Sequence, residues 1–370
     1  MRLVSSAPFA VLLLALAAVQ AQAQNQSSAG KQGLSGFNPE IGVVADIVGR
    51  ASEEEPDDPF GDDEGIDRFS FREAQLVFGA FVDPFMRADF AFVFSDSKDS
   101  EIEEAYLSFL ALPGRIRSRV GKFRSKIGKV NLMDLNALQF VNEPLVIQEY
   151  LGKEGMSLTG LNASRIFGLG PVALELTGEF FEGGQDVLFS GVRGEPIYVG
   201  HLKGYVDFTP RSNFEVGLSY VNGDRNLAAD GDPVDLRPTD LMGIDLTYKW
   251  KRSSTLKVWL TGEGYRVDRD RRSGDPQAPD ADGGFLNADV RFAPRWSAGA
   301  RYDRVEPLEL DPAARYDDRA GYAVYATFHQ SEFARIRLQY QLTREPDGFR
   351  NDEVYLQFRA QIGVDRHGLQ

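Results

Sequence analysis

The densest concentration of charge that could act on a solute is a basic cluster between residues 115 and 129. Its members are Arg115, Arg117, Arg119, Lys122, Arg124, Lys126 and Lys129, with no acidic residue among them. Arg117 and Arg119 are two residues apart, so in a β-strand they share one face. The acidic residues that neighbouring segments can bring opposite the cluster are Glu73, Asp89, Glu104, Asp134, Glu143, Glu175 and Glu179. Fixed charges along a narrow aqueous passage select among ions and solutes. The alternative is that the arginines only pair with these carboxylates and stiffen the protein.

Signs of catalysis or metal binding are weak. The histidines His201, His329 and His367 are far apart, and none lies in an H-E-x-x-H motif. The chain has no cysteine, no G-x-S-x-G and no P-loop. Acidic runs at residues 57–67 and 275–282 could hold Ca²⁺, although neither has the spacing of an EF-hand. We therefore expect no enzyme, no cofactor and no protein-built metal site.

The surrounding sequence alternates between apolar and polar residues with a period of two. From Met242 to Trp250 the even positions are apolar and the odd ones small or polar. The same pattern recurs at residues 87–94, 172–180, 335–342 and 353–360. A soluble β-sandwich would show this pattern with the faces exchanged, but some of its strands would have a weaker apolar face. Uniform alternation in segments of about ten residues favours lipid outside and water inside.

Short and long connections alternate along the chain. Tight turns are predicted at Asp83-Pro84, Leu112-Pro113-Gly114, Thr209 to Ser212, Lys251 to Ser254, Ala293-Pro294-Arg295 and His329 to Glu332. Long loops are predicted at residues 51–67, 124–156, 182–197, 222–239, 267–284 and 304–319. This asymmetry is typical of membrane barrels, with short periplasmic turns and longer extracellular loops. The fold predicted is all-β, an antiparallel up-and-down transmembrane barrel of about sixteen strands.

The third long loop is too apolar for a surface loop. Between Lys126 and Glu154 it holds Val130, Leu132, Met133, Leu135, Leu138, Phe140, Val141, Leu145, Val146 and Ile147. We expect it to fold inward, with short helical turns around residues 132–138, and to narrow the lumen. The alternative is a surface loop packed in a trimer contact.

The N-terminus predicts export. Arg2 precedes an apolar run at residues 9–19, and Ala21-Gln22-Ala23 is a small-residue cleavage site. The predicted organisation is a signal peptide at 1–23, a flexible periplasmic segment at 24–37 and an outer-membrane barrel at 38–370. A net charge of −14 argues against nucleic acid as a partner. Lipid and lipopolysaccharide, bridged through divalent ions, are the expected surroundings.

Several short motifs resemble porin-like outer-membrane proteins grouped with the phosphate-selective porins O and P. They are Asn38-Pro39-Glu40-Ile41, Val82-Asp83-Pro84-Phe85, Glu103 to Leu107, Gly121-Lys122-Phe123-Arg124 and Gly128-Lys129-Val130-Asn131. The resemblance implies a sixteen-stranded barrel, often a homotrimer, that passes small anions. The specific phosphate porins line the pore with an extended ladder of arginines and lysines, whereas here the inferred lumen is mixed in sign.

The function expected is passive diffusion of small hydrophilic solutes, including anions, through a porin-like channel. The residues expected at the pore lining or constriction are Arg117, Arg119, Lys122, Arg124, Lys126, Lys129, Glu73, Asp89, Glu104 and Glu175. The alternatives are a binding or structural barrel with a closed lumen, an outer-membrane receptor and an outer-membrane hydrolase. An energy-coupled receptor would need an N-terminal plug and about 22 strands, which this length does not provide.

Overall fold

The computed structural model describes residues 39–52, 68–96, 100–153, 155–185, 187–189, 193–227, 235–270, 280–309 and 314–363. The predicted signal peptide, the N-terminal segment at 24–37 and His367 lie outside the described residues. Most of the two acidic runs also lies outside the described residues.

Sixteen strands are found in the described residues. They are β1 (Glu40–Ser52), β2 (Arg68–Asp83), β3 (Met86–Phe94), β4 (Glu101–Leu112), β5 (Ile116–Arg124), β6 (Ser157–Leu169), β7 (Val172–Gly183), β8 (Arg193–Thr209), β9 (Ser212–Asn226), β10 (Leu236–Lys251), β11 (Lys257–Arg269), β12 (Asp280–Ala293), β13 (Trp296–Val305), β14 (Arg319–His329), β15 (Ala334–Arg344) and β16 (Arg350–Gly363). Each strand pairs antiparallel with the next, and β1 pairs with β16. The sheet therefore has no free edge. The predicted up-and-down barrel of sixteen strands is confirmed.

The two faces of the barrel wall differ in polarity. In β10, Met242, Ile244 and Leu246 are 39–54% exposed, whereas Asp245 and Thr247 are buried. In β15 the apolar residues 338 and 340 are exposed and the glutamines at 339 and 341 are buried. A soluble protein would place these faces the other way round. The outer surface is therefore suited to lipid and the inner surface to polar contacts.

The short connections lie at one end of the barrel, at the turn-forming residues where the sequence predicts them. All six predicted turns join consecutive strands. A seventh turn, at Gly170-Pro171 between β6 and β7, was missed, and there Gly170 adopts a positive φ of 59°.

At the opposite end of the barrel, the observed loops are shorter than the predicted ones. β9 ends at residue 226 and β10 begins at residue 236, so half of the predicted loop at 222–239 is strand, and the loop at 267–284 is shortened in the same way. Backbone pairing continues beyond the apolar band, because ladder hydrogen bonds do not require apolar side chains.

The connection between β5 and β6, residues 125–156, contains three short helical elements. Two 3₁₀ turns lie at Val130–Leu132 and Leu135–Ala137, near the predicted ones. The helix α1 (Leu145–Tyr150) follows Pro144 and was not predicted. Among the described residues, no helix is both long and apolar enough to cross a membrane.

The two faces of β10 provide a direct test of orientation. We expect Leu246→Arg to destabilise the folded barrel in the membrane by about 2 to 4 kcal/mol if the side chain lies near the bilayer midplane. The reason is that the substitution places a charge on the lipid side. Thr247→Arg should be tolerated because residue 247 lies on the polar inner face. The fraction of protein that folds in lipid vesicles, read from heat-modifiable gel mobility, measures both. Equal damage from both changes would show that the faces are reversed.

Candidate functional site: segment 125–156 and the wall it contacts

Carboxylates of the barrel wall hold the beginning of segment 125–156. Ser125 Oγ and the Lys126 backbone N–H donate to Glu179 Oε2 over 2.6 and 3.0 Å. The N–H groups of Lys129 and Val130 both donate to Glu263 Oε1, over 2.9 and 2.7 Å. The first turn of the segment is therefore fixed to β7 and to β11.

Arginines of the wall hold the middle of the segment by its carbonyl groups. We call the group formed by Arg72, Arg301, Arg335, Arg337 and Arg359 the arginine clasp. Arg335 Nη2 and Arg337 Nη1 donate to the Leu138 carbonyl over 3.1 and 3.0 Å, and Arg335 also donates to the Asn136 carbonyl. Arg359 Nε donates to the Asn136 side-chain oxygen over 3.2 Å. Together they satisfy carbonyls that a non-helical segment leaves without backbone partners.

Two further arginines extend the clasp along the segment. Arg301 Nη1 donates to the Asn142 carbonyl over 2.7 Å, and its guanidinium lies 4.4 Å from the centroid of the Phe140 ring. Arg72 Nη1 donates to the Val141 carbonyl over 2.5 Å. Consecutive residues of the segment are thus held from β2 and from β13.

Apolar side chains of the segment pack against wall residues in one buried cluster. Leu138, Phe140 and Ile147 belong to it and are almost completely buried. The Phe140 ring lies 6.2 Å from that of Phe285, in edge-to-face geometry. Wall residues that share the cluster include Tyr106, Phe181, Val199, Leu241, Tyr265, Val305 and Tyr325. Burial of a large apolar side chain contributes about 1.5 to 3 kcal/mol as an upper bound. These contacts are those expected of a segment within the barrel.

A group of three lysines surrounds a single carboxylate beside the segment. The Nζ atoms of Lys129, Lys203 and Lys249 lie 3.1, 3.0 and 3.4 Å from Glu215 carboxylate oxygens. We call these three residues the lysine triad. Burial lowers the pKa of Lys129, and the neighbouring lysines lower it further, while Glu215 opposes both. The three ammonium groups share Glu215, and the carboxylates of Asp245 and Glu175 also lie close enough to interact with Lys203.

Arg117 and Arg119 of the predicted site lie on one face of β5. The Arg119 guanidinium is 4.9 Å from the centroid of the Tyr106 ring. Arg117 is exposed and pairs across the ladder with Ser164. Among the described residues, neither arginine has a carboxylate partner. Both guanidinium groups are therefore free to act on a solute.

Lys122 lies on the opposite face of β5 from Arg117 and Arg119. It lies on the face of β5 that carries the exposed Val120, opposite to the fully buried Phe123. Its Nζ contacts Glu101 Oε1 over 2.9 Å and the Ile102 carbonyl over 2.7 Å. Successive side chains of a strand point to opposite faces. Lys122 comes three positions after Arg119 and therefore points to the opposite face.

The remaining predicted bases are paired with acids. Arg124 pairs with Glu103 and, at 3.7 Å, with Asp134 of the segment, and its backbone N–H donates to Glu104. Lys126 pairs with Glu175. These contacts match the alternative interpretation of the basic cluster, in which the basic residues pair with carboxylates and stiffen the protein.

The other two predicted acids have partners elsewhere. Asp89 lies 2.9 Å from Arg87 Nε within β3. Glu73 accepts a hydrogen bond of 2.6 Å from Asn136 of the segment. Glu73 thus meets segment 125–156 as expected, whereas Asp89 pairs with its own strand. The predicted group of ten residues is therefore not brought together in one place.

The arginine clasp was missed as a site. Arg335, Arg337 and Arg359 are recognisable in the sequence as inward-facing residues of alternating strands. Arg335 and Arg337 bind backbone carbonyls about 200 residues away in the chain, which no side-chain pattern reveals, and Arg359 binds the Asn136 side-chain oxygen. Among the described residues there is no group of three or more acidic or histidine side chains that could hold a metal ion.

Comparison with known proteins supports the fold. No protein-family model matches the chain. An uncharacterized protein of Aquifex aeolicus is 30% identical in an alignment 302 positions long, and this alignment covers 73% of this chain and 62% of that protein. The chain thus spans less than two thirds of the length of this relative.

Solved outer-membrane channels have a similar structure. The channel DcaP of Acinetobacter baumannii is 14% identical, with a TM-score of 0.59 over 90% of this chain and 100% of that one. An anion-selective porin from Comamonas acidovorans is 10% identical, with the same TM-score over 88% of this chain and 100% of that one. At such low identity the likeness establishes a porin-like barrel and no particular solute.

Proposed function

We propose that this chain is a porin-like channel of the outer membrane through which small hydrophilic solutes diffuse passively. The observation that carries the proposal is the closed sixteen-stranded barrel with an apolar outer face and a charged inner face. This arrangement suits a wall between lipid and water. In the proposal, segment 125–156 narrows the passage and contributes the constriction.

We further propose a preference for anions. Three lysines share the Glu215 carboxylate, and Arg117 and Arg119 have no acidic partner among the described residues. Fixed positive charge lowers the entry cost for anions and raises it for cations. The proposal covers small anions in general, because the wall also carries many carboxylates. The protein is expected to be a homotrimer.

The proposed channel has no catalytic activity. Two histidine–serine contacts resemble part of a catalytic site: His329 Nε2 lies 3.2 Å from Ser297 Oγ, and His201 Nδ1 lies 3.0 Å from Ser219 Oγ. Ser219 Oγ also accepts the Gly128 N–H of segment 125–156. No carboxylate is hydrogen-bonded to either imidazole among the described residues, so nothing holds either one as a general base. The His201–Ser219 pair is better explained as part of the wall that holds the segment.

A barrel with a closed lumen is the second candidate. It is favoured by the course of segment 125–156, which contacts side chains on β2, β7, β9, β11 and β13–β16. A segment bound on so many sides can close a passage instead of narrowing it. Conductance distinguishes the two candidates.

Charge substitutions test the proposed selectivity. We expect Lys203→Gln with Lys249→Gln to shift the reversal potential in a salt gradient toward cations, because two positive charges leave the wall. Arg117→Gln with Arg119→Gln should shift it in the same direction. The shift should be larger at low ionic strength, since the screening length is about 10 Å at 0.1 M salt. Planar-bilayer recordings provide the measurement.

Lys122→Gln is the matched control, because it removes a lysine from the outward face of β5. It should leave the reversal potential unchanged. If both double substitutions also leave it unchanged, while the barrels fold and conduct, the preference for anions does not come from these residues.

A further inference from the structure

A cavity lies at the short-turn end of β8–β11, and it adjoins the lysine triad through Lys249. Its volume is about 670 Å³. The lining residues that matter for its chemistry are Asp207, Arg211, Lys249, Lys251, Lys257 and Trp259. A cavity of this size falls in the range that holds small organic molecules.

The basic and indole side chains of the cavity belong to the inner face of the wall, whereas Phe208, Trp250 and Val258, which also line it, occupy outward positions of their strands. Lys249 pairs across the ladder with Asn213 on one side and Trp259 on the other, and Lys251 pairs with Lys257. These positions share the face of β10 that carries the buried Thr247. Paired side chains on one face lie about 5 Å apart. The cations and the indole ring therefore border one space that opens toward the interior of the barrel.

The lining has a large surplus of positive charge. It contains four basic side chains and one carboxylate, Asp207, which already accepts a 2.6 Å hydrogen bond from Tyr205. Arg211 and Lys251 have no carboxylate partner among the described residues. Lys249 shares Glu215 with two other lysines. The cavity is therefore suited to an anion.

An aromatic face completes the site. Trp259 is partly exposed, and the Lys257 ammonium lies 6.0 Å from the centroid of its ring. An indole face surrounded by cations matches a planar ring that carries an acidic group, because the ring can stack while the acid meets the lysines. A simple inorganic anion would fill only a small part of the volume and would make no use of the ring.

We propose that this cavity binds an organic anion with an aromatic ring, such as an aromatic carboxylate or sulfonate. The site goes beyond the proposed channel activity, and it does not require the lumen to be open. Trp259 provides the stacking face, while Lys251, Lys257 and Arg211 hold the acidic group. In a conducting barrel, such a site would collect solute at the turn-end mouth of the passage.

Equilibrium binding to the folded full-length barrel in detergent tests the proposal. The probes are 2-naphthoate, its neutral counterpart 2-naphthylmethanol, and sulfate, all at the same ionic strength. Saturable binding of one naphthoate per chain is expected, with several-fold weaker binding of the alcohol. Sulfate should displace naphthoate only at much higher concentration. Equal competition by sulfate would overturn the aromatic part of the proposal.

Variants locate the site. Lys251→Gln with Lys257→Gln, and separately Trp259→Leu, should each weaken naphthoate binding several-fold. The controls are Arg295→Gln and Trp296→Leu, which change a basic and an aromatic residue at the β12–β13 turn and should leave affinity unchanged. Unchanged affinity in the folded cavity variants, or an equal loss in the controls, would overturn the proposal. A barrel that conducts without binding naphthoate refutes only the site, and one that binds without conducting refutes only the channel.

Discussion

Replacement of residues 132–140 by a short Gly-Ser linker is expected to raise single-channel conductance several-fold. This stretch carries Leu138 and Phe140, which are buried in the interior cluster, and it includes the carbonyls that Arg335 and Arg337 hold. Its removal takes apolar volume out of the proposed passage and leaves the clasp arginines exposed to water. Planar-bilayer recordings of the variant and the parent protein, in the same salt, measure the change.

Two controls accompany the replacement. Insertion of the same linker between Gly170 and Pro171, both exposed in the β6–β7 turn, should leave conductance unaltered. Heat-modifiable mobility on gels shows whether each variant forms a closed barrel. A folded replacement variant with the conductance of the parent would mean that segment 125–156 does not border the ion path.

Weakening the arginine clasp is expected to release segment 125–156 from the wall. Arg335→Met with Arg337→Met removes the donors to the Leu138 carbonyl while it keeps similar apolar length. A hydrogen bond to a charged group contributes about 1.5 to 3 kcal/mol. Its loss should therefore raise the equilibrium constant for local opening of the segment by at least about ten-fold. Amide hydrogen exchange in residues 132–142 should accelerate accordingly, and the open-channel current should fluctuate more.

Arg165→Met is the matched control, because Arg165 is exposed on β6 and contacts no residue of the segment in the described part of the chain. It should leave exchange in residues 132–142 unchanged. Exchange that is equally slow in the clasp variant and the parent would show that apolar packing alone holds the segment.

The architecture was predictable because it depends on a local, repeated signal. Alternation at Met242–Trp250 and its repeats fixes which side chains face lipid, and turn formers such as Pro210 and Pro294 fix where strands end. These signals operate within about ten residues. A closed barrel follows from them, since an open edge in lipid leaves backbone groups without partners.

The candidate site was less predictable because it depends on contacts between distant parts of the chain. Side chains alternate between the two faces of β5, and this rule groups Arg117 with Arg119. Applied strictly, the same rule places Lys122 on the opposite face. The partners of Arg124 and Lys126 could not be chosen from the many available acids. The clasp was hidden because Arg335 and Arg337 bind backbone carbonyls, and backbone groups have no sequence signature.

The most direct test of the central claim is conductance of the purified, folded chain in a planar bilayer under a salt gradient. The account predicts stepwise current increments as single barrels insert, with a reversal potential of the sign that anion preference requires. That potential should move toward zero as salt is raised, because screening weakens the fixed charges. A protein that is heat-modifiable, and therefore folded, but adds no current above that of the empty bilayer would contradict the channel and establish the closed barrel.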